Sequence, residues 1–308
     1  MWPELPYAAW RDTLLTVHLW TQIVGKIRLA LTPWLNHSWH VPFYVTARGI
    51  GTSPVPAGNM IFEIDFDFTG HRLALRTSRG DEAGFSLAPM SVGVFYERVF
   101  ALLRGLGITV TIDDLPSEMT GVPRYSEDRE HASYDAAAMD RFWQALVQAD
   151  RVLKRFRTGF LGKASPVHFF WGSFDLAATR FSGRVAPKHP GGVPGLSDAV
   201  TCEAYSHEDS SAGFWPGDAR FPQAAFYSYA YPEPPGFRDQ PAGAGGYFDT
   251  NLGEFILPYE AVRRASDPDA LLLGFLQTTY EAAADCGKWD RAALECPTGA
   301  PMRVRPTA

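Results

Sequence analysis

The sequence predicts an α+β fold: two similar halves, each with helices packed on a mostly antiparallel sheet, joined in one compact body. Three observations lead there. Apolar residues recur at helical spacing in a few long segments. Between those segments lie short runs that alternate apolar and charged residues, the mark of half-buried antiparallel strands. The order of these signals also occurs twice. "IVGK" leads through "SWHVPFYVTARGI" to a sheet, and "FLGK" leads through "SPVHFFWGSFDL" to another. "FSLAP" and "FILPY" each precede a helix. This reads as a degenerate internal duplication of helix, several strands and a proline-started helix. The 308 residues, 46% hydrophobic and 20% charged, supply ample apolar material for a core.

In chain order, the first helix runs from Ala8 to Leu31. His18, Gln22, Lys26 and Arg28 interrupt its apolar run, so it reads as a buried helix rather than a membrane span. Strands follow at "VPFYVTARGI", "MIFEIDFDF", "HRLALRTS" and "GFSLA". Pro89 opens a helix that ends near Gly105 and Gly107, and "ITVTI" is a further strand. A polar segment then connects the halves. The next helix is the clearest, with Met139, Phe142, Leu146, Ala149, Leu153, Phe156 and Phe160 on one stripe. Strands follow at "VHFFWGSFDL", "VTCEAYSHE", "AAFYSYAY" and "GEFILP", separated by long loops rich in proline and glycine. A helix opens at Pro258, restarts at Asp267–Pro268 and stops at Gly287. The divisions are a first half at 1–114, a connector at 115–133, a second half at 134–296 and an irregular tail at 297–308.

The formal net charge of -6 offers no basic field for nucleic acid or anionic lipid. The N-terminus "MWPELPYAAW" lacks the basic segment of a signal peptide. Three cysteines without a CxxC pair imply neither a disulfide framework nor a zinc knuckle, and a cytoplasmic setting fits best. "RGIGTSP" lacks a dinucleotide fingerprint and "FLGKASP" lacks the first glycine of a phosphate loop.

Function is sought on the second sheet, where the alternation departs from apolar-in, charged-out. Read as a strand, "TCEAYSHE" places Glu203, Tyr205 and His207 on one face. Tyr227, Tyr229 and Tyr231 share a face of the next strand. A solvated face more usually carries Lys, Glu and Thr. Glu203 and His207 are the acid–base candidates, since a carboxylate beside an imidazole orients its tautomer and raises its basicity. A structural hydrogen bond beneath the tyrosines is the competing reading. Tyr205, Tyr227, Tyr229, Trp215 and Trp171 would form walls, and Arg180 could meet an anionic group, although an ordinary ion pair at a surface turn also accounts for it. His168, Glu203 and His207, with His131 or Asp175, have the right donor types for a divalent metal but no recognised ligand spacing. His37 and His40 of "HSWH" read as packing or capping residues in a turn.

The phrases "HLWTQIVGK", "SPVHFFWGSFDLAATRFSGR", "EAYSHEDSSAGFWPG" and "FYSYAYPEP" resemble an uncharacterised bacterial family catalogued as domain of unknown function 5996. The resemblance covers nearly the whole chain. It implies a single full-length unit and carries no activity or residue role. The residues themselves point to an enzyme acting on a small polar molecule, with a non-catalytic small-molecule binder, or a structural or interaction protein, as alternatives. A small-molecule ligand is expected, and neither nucleic acid nor membrane; oligomeric state is left open.

Overall fold

Helix α1 (Tyr7–Leu31) is apolar on nearly every side, so burial is its only stable place. Val17, Leu19, Trp20, Ile23, Val24 and Ile27 are fully enclosed. Among its buried polar side chains, Gln22, Lys26 and Arg28 find partners outside the helix. The Arg28 Nε donates to the His40 carbonyl at 2.6 Å, and the Lys26 ammonium donates to the Leu115 carbonyl. The computed structural model describes residues 1–305.

The first antiparallel sheet comprises β1 (Tyr44–Val45), β2 (Gly49–Gly51), β3 (Val55–Ala57), β4 (Met60–Asp67), β5 (Arg72–Thr77) and β6 (Glu82–Ser86). Its order is β1-β2-β4-β5-β6, with β3 also paired to β4. The alternation in β4 works as expected. Phe62, Ile64 and Phe66 are buried, while Asp65 faces outward and accepts from the Arg76 guanidinium at 2.7 Å. "VPFYVTARGI" is not one strand. It folds into the short hairpin of β1 and β2, where the Thr46 hydroxyl accepts from the Gly49 amide. Helix α2 (Val92–Gly105) follows, capped by Ser91. "ITVTI" is extended but unpaired: Ile108 is buried, yet no strand lies beside it.

Helix α3 (Ala136–Arg157) buries the predicted stripe under an Asp135 cap. The second antiparallel sheet holds β7 (His168–Phe170), β8 (Asp175–Val185), β9 (His207–Trp215), β10 (Ala225–Tyr231), β11 (Tyr247–Asp249) and β12 (Glu254–Pro258), ordered β11-β12-β10-β9-β8-β7. "VHFFWGSFDL" is therefore a hairpin. It turns at Trp171–Phe174, with Phe174 at a φ of 60°. Helix α4 (Asp198–Ala204) lies between β8 and β9; α5 (Tyr259–Arg264), α6 (Pro268–Cys286) and the short α7 (Arg291–Leu294) close the chain. Each half repeats the order long helix, six antiparallel strands, helix, in keeping with an internal duplication. The second half adds α4, and the sheets differ in order: β3 stands off the path of the first, whereas β12 lies between β10 and β11 in the second.

The largest departure from expectation is α4, since residues 201–204 are helical rather than extended. Ser197 caps the helix by accepting the Ala199 amide, and Asp198 sits in the positively polarised first turn. These local signals outweigh a seven-residue alternation. Glu203 and His207 therefore do not share a strand face.

The halves meet at a seam. Phe43 and Phe169 exchange backbone hydrogen bonds of 2.8 and 2.7 Å, which joins the segment leading into β1 to the edge strand β7. One continuous apolar core runs through both halves.

Candidate functional site

Helices α3 and α6 cover one face of the second sheet. Leu176, Ala178 and Phe214 point toward them and are buried. The opposite face carries Asp175, Ala177, Thr179 and Phe181 from β8, Asp209, Ser211 and Gly213 from β9, and Tyr227 and Tyr229 from β10. A cavity of about 300 Å³ lies over this face. Its cover comes from three other places. The turn around Trp34–Trp39 belongs to the first half, Ser117 and Glu118 to the connector, and Val200, Thr201 and Ala204 to α4.

Three carboxyl groups reach the cavity. Asp175 is 7% exposed and held on both oxygens. The Ser173 hydroxyl donates to Oδ1 at 2.5 Å and the Tyr227 hydroxyl donates to Oδ2. Burial nevertheless pushes its carboxyl above the usual range. Asp209 is 3% exposed, and its buried Oδ1 has no hydrogen-bond partner, so burial alone raises it well above the ordinary carboxylate value. Glu118 is exposed, but into the cavity, and protein surrounds its carboxyl. Desolvation first, and the neighbouring Asp175 charge second, push it up to about 7. Glu254, beside Tyr229 on the same face, is likewise raised to about 7 by burial, Asp175 and Asp249.

Glu118 is positioned by a buried polar hub on α1. The Gln22 Oε1 accepts the Ser117 amide at 2.8 Å and the Tyr125 hydroxyl at 2.7 Å, and its Nε2 donates to the Ser117 carbonyl at 2.9 Å. His18 meets the Gly172 carbonyl at 2.8 Å, and burial lowers its imidazole to about 4, so it is neutral. Glu118 has a φ of 59°, a backbone conformation that costs a non-glycine residue energy and persists where surroundings impose it. Its carboxylate lies directly over Gly172: a Cβ there would stand 2.1 Å from Oε1. Gly25 plays the same part for Trp171, whose indole packs onto the α1 backbone and donates from Nε1 to the Val41 carbonyl at 3.0 Å.

Of the residues singled out from sequence, Tyr205, Tyr227, Tyr229 and Trp171 line the cavity. Tyr205 and Tyr229 join hydroxyls at 3.0 Å. Glu203 and His207 stand behind its wall. Both Glu203 oxygens accept the His37 amide, at 3.0 and 2.9 Å. The His37 Nδ1 donates to the Ala204 carbonyl at 2.8 Å, which leaves Nε2 to accept from the Lys163 ammonium at 2.5 Å. Burial lowers the His37 imidazole from its usual value. His207 packs edge-on to the His37 ring with centroids 5.7 Å apart and meets the Ser206 hydroxyl at 3.1 Å. Trp215 stacks on Phe221 at the far end of β9. Arg180 is not at a surface turn. It lies on the helix-side face of the sheet, over the rings of Phe156 and Tyr280 at 3.6 and 4.3 Å. His168 is enclosed near Tyr44 and Phe170, with neither ring nitrogen hydrogen-bonded. His131 pairs with Asp128 in the connector.

Sequence reasoning missed Glu118 and Asp209 and named Asp175 only as a further metal ligand. Asp209 could have been found by carrying the β9 alternation onward to Ser211. Glu118 left no signal, because its place is set by Gln22, ninety-odd residues earlier. Among the described residues no three His, Cys, Asp or Glu side chains are grouped as a metal ion would require, and no helix is long and apolar enough to cross a membrane.

Comparison with known proteins finds one family. The model of the family of unknown function DUF5996 matches residues 2–296. No curated protein and no solved structure matches the chain.

Proposed function

The chain belongs to the DUF5996 family, and from that premise we propose that it binds a small polar molecule in the cavity over the second sheet and acts on it by acid–base chemistry. The observation that carries this reading is the convergence of Glu118, Asp175 and Asp209, from three separate segments, on one cavity of about 300 Å³. That is the size of a metabolite site, apolar in its walls with a few polar groups set among them.

Glu118 is the proton-transfer group. A carboxyl pushed up to about 7 is divided between its acid and base forms near neutral pH, so it can give or take a proton with little cost. Asp175, held by Ser173 and Tyr227, keeps a fixed charge geometry beside it. The Tyr205–Tyr229 hydroxyl pair offers donors and acceptors to a hydroxyl or amine of the ligand. Glu203 and His207 serve as positioning residues: they hold the His37 turn that forms part of the cover. The same cavity supports a non-catalytic binder, and the raised Glu118 carboxyl is what favours the enzyme.

A metabolite library screened by thermal shift tests the reading, since binding to the native state raises its melting temperature. A stabilising compound should lose its effect in Thr179→Trp, which fills the cavity floor. Glu118→Gln should still bind that compound, with some loss of affinity, and lose its turnover. A library in which no compound distinguishes the wild type from Thr179→Trp would sink the proposal.

A further inference from the structure

We propose that the molecule held in this cavity is a small organic cation carrying N–H donors, a primary amine or amidine with an apolar body. The inference rests on the cavity being a ligand site, as argued above, and adds its chemical class.

Asp209 lies on the cavity-side face of β9. Its side chain is 3% exposed and borders the cavity, yet its buried Oδ1 accepts nothing. A buried acceptor left empty carries an uncompensated desolvation cost, larger when it is charged. A ligand N–H would satisfy it. The cavity's formal charge points the same way. Glu118, Asp175 and Asp209 border it, and among the described residues no Lys or Arg does. Two cations approach the cover from outside, and both are engaged: Lys163 donates to His37 and Arg28 to the His40 carbonyl. An anionic ligand would therefore meet three carboxyls and no counter-charge. The walls complete the case. Trp34, Trp39, Trp171, Phe170, Phe181 and Tyr205 present aromatic surface, which attracts a desolvated cation and covers an apolar body equally well.

A neutral polyol is the rival that carboxyls and aromatics could also hold, and pH separates the two. The titratable groups that border the cavity with Glu118 are Asp175 on β8, Asp209 on β9, His37 in the cover, and the phenols of Tyr205, Tyr227 and Tyr229; Glu254 on β12 acts on Asp175, and His18 on α1 meets the Gly172 carbonyl beneath Glu118. The imidazoles are lowered and the phenols raised by burial, so between about pH 6 and 8 it is Glu118 and Glu254, each pushed up to about 7, that change charge. A cation then binds more tightly as pH rises, and a neutral ligand that takes a carboxyl proton binds less tightly.

The experiment uses the full chain with matched probes: butylamine, benzylamine and phenethylamine, the corresponding alcohols, and butyrate, benzoate and phenylacetate. Dissociation constants come from calorimetry at about pH 6 and pH 8. We expect at least one amine to bind about tenfold or more tightly than its alcohol at the higher pH, with the gap narrowing at the lower pH. Its carboxylate should not bind. Asp209→Asn and Asp175→Asn, with folding checked by circular dichroism, should each shrink the amine's advantage severalfold, and Thr179→Trp should abolish it. An alcohol or carboxylate binding as well as the amine overturns the cation class. So does an amine preference that persists in both Asn variants. Silence of all nine probes beside a library compound that Thr179→Trp displaces overturns the class and leaves the cavity as a ligand site. Silence throughout overturns both readings.

Discussion

Gly172 offers a way to move a functional group without removing it. Its backbone is not in the left-handed region, so alanine costs it little locally. The new methyl would displace the Glu118 carboxylate, because that carboxylate lies over the site the methyl would take. Gly172→Ala should therefore keep a near-native melting temperature and lose turnover about as far as Glu118→Gln does, with a turnover assay and circular dichroism as the checks. Gln22→Leu should behave in the opposite way. It leaves the Ser117 amide and carbonyl and the Tyr125 hydroxyl without partners, and urea denaturation should show a loss of about 1–3 kcal/mol per group left empty. Arg180→Met is the control for placement. Arg180 lies on the helix-side face of the sheet, so ligand affinity should stay within about twofold.

Among the elements, α4 decides how the cover is held. Its last turn brings Glu203 to the His37 amide, where both carboxylate oxygens accept. Glu203→Ala should loosen the Trp34–Trp39 turn at a cost of about 1.5–3 kcal/mol, the usual range for hydrogen bonds to a charged group. Hydrogen exchange at the His37 amide should rise first, ahead of global unfolding. Much of this architecture was legible. Period-two patterning in β4 and the stripe of α3 are direct imprints of one-sided burial. Of the three tyrosines expected on one face of β10, Tyr227 and Tyr229 border the cavity, while the Tyr231 hydroxyl donates to the Pro187 carbonyl outside it. What escaped had tertiary causes. Residues 201–204 alternate like a strand, but a serine cap made them a helix. "ITVTI" has every strand preference and no partner. Glu118 sits in a polar stretch that looks like spacer, and only the folded chain gives it a role.

For the whole molecule, the raised carboxyls set a pH dependence. Glu118 and Glu254 have folded values of about 7 against an ordinary 4.5. The native state therefore holds protons that the unfolded chain has released, so stability is greatest below about pH 4.5 for these groups and declines as pH rises toward 7. Melting temperature should fall between about pH 5 and pH 8, after allowance for the carboxylates that pair with arginine and act in the other direction. Glu118→Gln should flatten that fall. A profile equally steep in Glu118→Gln would show that this carboxyl is not responsible.

The backbone bridge between Phe43 and Phe169 has a mechanical meaning. It welds the rim of one sheet to the start of the other, so that neither rim is left as a free template for a foreign strand. The cavity straddles that weld, its floor on one side and part of its lid on the other. An occupant would act as a rivet across the joint, and the resistance of the two halves to being pulled apart would report whether the space between them is filled.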